Sequence, residues 1–154
     1  MFRYRVFLGF FMLGLIVSGM TTFALPGEAS FLRRLVGPVG PAEQNRLSGL
    51  PQWIQFVDSG LRETYSRFPF FGYATDWLGF GHFVIAAFFI LPFVNPEKYR
   101  AVLLVGVAAC AGVLLVAFSF GAARGIPLGW QLIDCSFGVV GVIPLLYCLH
   151  LSKP

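Results

Sequence analysis

Charge is what this sequence has least of. Only 12% of its 154 residues are Asp, Glu, Lys or Arg, against about a quarter in soluble domains. Hydrophobic residues make up 57%, and the mean hydropathy is +0.78. A surface so poor in charge cannot keep the chain in water, and lipid is the solvent that fits it. Cysteine is scarce too, and no C-x-x-C pair occurs. That excludes paired-thiol membrane oxidoreductases. Cys110, Cys135 and Cys148 read instead as small packing residues in apolar surroundings. A dense basic run is also missing, although the net charge is +4. Arg and Lys are scattered at the edges of apolar runs, which removes nucleic acid as a partner. Strict apolar–polar alternation is absent from the long runs, and a membrane β-barrel goes with it.

Four apolar runs are present, at about 6–25, 77–94, 101–120 and 127–149. Each approaches the roughly 20 helical residues needed to cross a hydrocarbon core of about 30 Å. The expected fold is therefore all-α: a polytopic membrane protein forming one four-helix bundle over 1–154. The first run follows Arg3 and Arg5 and resembles a signal peptide. It is longer than a signal core, however, and reads as an uncleaved anchor. Arg3 and Arg5, then Lys98, Arg100 and Lys153, put both termini in the cytoplasm and residues 26–75 outside. A bacterial inner membrane is the location this pattern implies.

Residues 26–75 carry more than loop. Pro26–Gly27 marks the exit of the first helix, and Pro41 stands where a short helix would begin. Between Trp53 and Phe68 the apolar residues Trp53, Ile54, Val57, Leu61, Tyr65 and Phe68 recur at helical spacing. Gln55, Asp58, Ser59, Arg62, Glu63 and Ser66 take the other face. This pattern predicts an amphipathic helix along the external membrane surface. The aromatics Phe68, Phe70, Phe71, Tyr73 and Trp77 then collect where the chain re-enters the interface. Pro92 and Pro144 are expected to interrupt or kink the second and fourth helices.

Ionisable or amide side chains inside the runs or at their outer ends are few, and each is expensive in lipid. They are Asp76, His82, Arg124, Gln131 and Asp134. At about 1.5 Å per residue, His82 lies roughly 8 Å beyond Trp77 and Asp134 roughly 10 Å beyond Pro127. The two thus share a depth, and small residues flank both, Gly79 and Ala86 on one helix and Gly138 and Gly141 on the other. If the second and fourth helices are neighbours, His82 and Asp134 can bond, with Arg124 and Asp76 extending the cluster toward water. Such a cluster either glues the helices together or holds a ligand. No Ser or Cys nucleophile stands at matching depth, so no catalytic residue is assigned. The other histidine, His150, is at the opposite membrane face, so no metal or haem is expected, and no other cofactor either.

From Thr75 to Leu149 the chain resembles the VanZ-like family of small bacterial membrane proteins. The resemblance rests on Asp76 with His82 entering the second helix, and on Arg124, Asp134 and Gly141 leading into the last. The Asp-to-His spacing is longer than in that family. Its acidic residue and glutamine late in the third helix are missing, and Gly138 stands where an asparagine would. The resemblance implies a role in envelope biology or glycopeptide resistance, with no settled chemistry. Two functions from different classes emerge. One is a non-enzymatic accessory or structural subunit of a larger membrane assembly, with membrane lipids and other membrane subunits as partners. The other is a stand-alone envelope protein binding a lipid-like or quinone-like ligand at the external polar cluster.

Overall fold

The computed structural model describes residues 1–37 and 49–152. Among these the chain is helical with no strand, and it forms seven helices: α1 (Phe2–Phe23), α2 (Leu25–Val36), α3 (Leu50–Arg67), α4 (Pro69–Phe88), α5 (Ile90–Val94), α6 (Arg100–Ala123) and α7 (Leu128–Leu151). Four helical stretches are long and apolar enough to span a membrane: α1, α4 continued by α5, α6 and α7. They contain 22, 26, 24 and 24 residues, or about 33–39 Å at the helical rise. The protein is an integral membrane protein. The short helix expected at Pro41 lies outside the described residues.

Two boundaries differ from the sequence reading. The chain does not leave helical structure at Pro26–Gly27, because Pro26 sits in the first turn of α2. First-turn N–H groups have no partner within the helix, so proline is at no disadvantage there. Glu28 in the first turn and Arg33 with Arg34 in the last complement the helix dipole. Gly37 ends the helix with φ 75°, a backbone that residues with a Cβ seldom adopt. The second span also starts earlier than Trp77. Pro69 lies in its first turn, so Phe70, Phe71 and Tyr73 are helical. Near its far end the span is interrupted at Phe89, four residues after which Phe93 resumes α-type bonding. Pro92 has no N–H for the Phe88 carbonyl, which accounts for the break. Helix α7, by contrast, runs through Pro144.

The buried core gathers Tyr4 and Leu8 of α1, Phe89, Leu103 and Cys110 of α6, and Leu145, Cys148 and Leu149 of α7. It lies toward the end of the bundle that holds Met1, Ser152 and the α5–α6 turn, which together line one recess. Lipid is as apolar as these side chains, so helices here associate by close packing rather than by escape from water. Glycines provide the closeness. A Cβ on Gly19 of α1 would stand 2.9 Å from the Gly79 carbonyl of α4, and one on Gly138 of α7 only 2.6 Å from the Cys110 carbonyl of α6. The helices thus form two tight pairs, α1 with α4 and α6 with α7. Helix α1 also packs on α7 and so joins the pairs. Helices α2 and α3 pack on each other, and α3 touches α4, where Tyr65 and Thr75 share a hydrogen bond of 2.7 Å.

Candidate functional site

The five polar residues read from the sequence divide between the two helix pairs. Asp76 and His82 are on α4, both half-buried. The His82 backbone side packs on α1, since a Cβ on Gly19 would meet the His82 Cβ at 2.9 Å. Its ring Nδ1 shares a 2.9 Å hydrogen bond with the Leu78 carbonyl one turn back. Gln131 and Asp134 are on α7, and Arg124 caps α6. Gln131 is buried and donates to the Ile126 carbonyl at 2.6 Å. Its side chain fills the space a Cβ on Gly121 would need, which ties the α6–α7 turn shut. Arg124 places its guanidinium 5.6 Å over the Phe120 ring of its own helix.

The expected bond between His82 and Asp134 is not formed. Helix α1 is the neighbour of both α4 and α7, and those two helices share no substantial contact among the described residues. The shared depth nevertheless has a structural counterpart. Phe11 of α1 touches Phe89 with ring centroids 4.8 Å apart, and it faces Gly141 across the α1–α7 contact. His82 precedes Phe89 by seven residues, and Asp134 precedes Gly141 by seven. Both polar residues therefore stand about two turns, roughly 10 Å, beyond the same Phe11 layer.

Asp134 opens onto α6 rather than α4. It lines a shallow recess of ≈ 450 Å³ with Ala109, Gly112, Val113, Val116 and Ala117. Its carboxyl makes no hydrogen bond or ion pair among the described residues. No group of three His, Cys, Asp or Glu side chains among the described residues could hold a metal ion.

A second polar centre was not anticipated. Asp58 belongs to the polar set opposite the apolar residues of its helix, yet its side chain is 0% exposed. It faces α2, a helix for which the sequence shows no clear signal. Arg33 donates to one carboxylate oxygen at 2.9 Å and Arg62 to the other at 3.0 Å. Ser30 Oγ lies 2.8 Å from Asp58 and 2.6 Å from the Pro26 carbonyl. Its single proton serves these two acceptors in common, while Arg62 donates to Ser30 Oγ at 2.6 Å. Burial pushes the Asp58 carboxyl up, but the Arg33, Ser30 and Arg62 donors outweigh it and hold it below its ordinary range. The available signal was spacing: Ser30 with Arg33 and Asp58 with Arg62 each sit about one turn apart.

No family model matches this chain, and no curated protein or solved structure matches it.

Proposed function

We propose that the protein is a non-enzymatic accessory or structural subunit of a larger membrane assembly, docked through the α6–α7 recess around Asp134. The observation that carries this reading is Asp134 itself. A carboxyl group inside a membrane span costs several kcal/mol unless another group meets it, and this one has no partner among the described residues. The wall beside it, Ala109, Gly112 and Ala117, is made of small residues, the kind that let a second helix approach closely. A partner helix bearing a hydrogen-bond donor would satisfy both features at once. The basic residues at the span edges support placement in a bacterial inner membrane. The termini are then cytoplasmic, and α2 and α3 external.

The test is purification in mild detergent with sizing and cross-linking. A partner of fixed stoichiometry, lost in Asp134→Leu and in Gly112→Leu, is the expected result. Migration of the 17.0 kDa chain alone, unaltered by either substitution, overturns the reading.

A second reading has its own observation, the common level of His82 and Asp134 on two helices that both pack on α1. It is a stand-alone VanZ-like envelope protein binding a lipid-like or quinone-like ligand at the external-leaflet polar cluster. A copurified small molecule that disappears in both His82→Ala and Asp134→Ala would favour it.

A further inference from the structure

The Arg33–Asp58–Arg62 centre goes beyond the docking recess and shares no residue with it. The two guanidiniums are held side by side on the two oxygens of one carboxylate. Asp58 is fully enclosed, whereas the Arg33 and Arg62 side chains are 49% and 58% exposed. The anion is therefore spent inward as an anchor, and an excess of positive charge is presented outward. Arg34, exposed next to Arg33, adds to it. Rigidly positioned guanidinium forks match the oxygens of a phosphate, which they bind bidentately.

The level of the centre identifies the source of the phosphate. Helix α2 starts at Leu25, two residues after the α1 span ends at Phe23, and α3 ends at Arg67, two residues before α4 begins. Both helices thus leave and rejoin spans directly, which ties their contact to the membrane–water boundary on that side. Phe31 and Leu35 on α2 and Phe56 on α3 are large, apolar and more than half exposed. Such side chains beside arginines are what an interfacial helix inserts among acyl chains. We propose that Arg33 and Arg62, positioned by Asp58 and Ser30, form a binding site for the phosphate of an anionic phospholipid headgroup.

The experiment uses the full chain in nanodiscs made from phosphatidylcholine with a minor fraction of phosphatidylglycerol. Lipid retained after extraction is read by native mass spectrometry. Wild type is expected to retain phosphatidylglycerol in preference to phosphatidylcholine. Arg33→Lys and Arg62→Lys keep the charge and the ion pairs but lose the planar fork. The double variant Asp58→Asn with Arg62→Gln leaves no unpaired buried charge, so it folds without the centre. Each is expected to lower the selectivity, and because the double variant removes one anion with one cation, its loss of selectivity reads the missing guanidinium fork and not a change of net charge. Circular dichroism confirms the helical fold in each. Equal retention of the two lipids by wild type, or undiminished selectivity in all three variants, overturns the site. Displacement of phosphatidylglycerol by millimolar inorganic phosphate overturns the lipid as its source and assigns the site to free phosphate.

Discussion

The Tyr4 hydroxyl donates to the Pro92 carbonyl at 2.9 Å, joining positions 88 residues apart in the chain. In a continuous helix that carbonyl would accept from the residue four places on, but this is Pro96, which has no N–H. Tyr4 replaces the missing donor. Its own carbonyl in turn accepts a weak bond from Cys148 Sγ at 3.5 Å, so one residue connects α1, α5 and α7. Tyr4→Phe keeps the ring and removes only the donor, leaving Pro92 unsatisfied. The expected loss is about 1 kcal/mol in reversible unfolding in mixed micelles. An unchanged unfolding curve would show that the carbonyl is satisfied by other means.

Gly79 and Gly81 offer a paired test of the α1–α4 contact. A Cβ on Gly79 would stand 2.8 Å from the Gly19 carbonyl and 2.7 Å from the Phe23 ring, whereas one on Gly81 meets nothing within 4 Å. Backbone cannot move aside as a flexible side chain does. Gly79→Leu should therefore cost about 1–3 kcal/mol through overpacking, and Gly81→Leu should be close to neutral. Equal melting temperatures for the two variants would mean that the helices are not held this close.

The buried carboxylate predicts a pH response with a definite sign. Asp58 is held below its ordinary value of 3.8, so its contribution is fully present above about pH 4 and falls as pH drops through the lowered folded value. Trp53 on α3 can report this in a W77F/W130F background. Its emission should stay constant from pH 7 to about 4 and shift below that, and Asp58→Asn should abolish the transition. Removing the carboxylate by Asp58→Ala leaves two cations without a counter-ion. Because both are about half in solvent, the cost is expected near 2 kcal/mol, below the range for fully buried pairs. A transition centred above pH 5 would mean that the arginines do not hold the charge.

Orientation is open to direct labelling. In a variant without the native cysteines, Ser59→Cys on α3 should react with an impermeant maleimide added to intact cells. Glu97→Cys, at the α5–α6 turn, should react only after permeabilisation. The reverse pattern would place α2 and α3 in the cytoplasm.

The four spans were readable in the chain because crossing a bilayer sets a length, and a run of apolar residues either has that length or lacks it. Helix α3 was readable for a related reason, since Trp53 to Phe68 repeat with the period of a helix. Depth along a span followed from the same counting, and so His82 and Asp134 were placed at one level from spacing alone. Helix α2 escaped notice because Pro26–Gly27 is an equally good sign of a helix end and of a helix start. Asp58 was misplaced as a consequence, for its buried side is created by α2 and by nothing within α3.

Which helices are neighbours could not be read in this way. A soluble helix displays an apolar stripe that names its packing face, but the spans here are apolar all round, because lipid and protein make the same demand on them. With that signal gone, the direction a side chain takes around its helix is settled by short-range contacts such as Gly19 on Gly79 and Gly138 on Cys110. Together with Phe11 against Gly141, those contacts make α1 the neighbour of both α4 and α7. His82 and Asp134, equal in depth, consequently belong to helices that pack on α1 and not on each other.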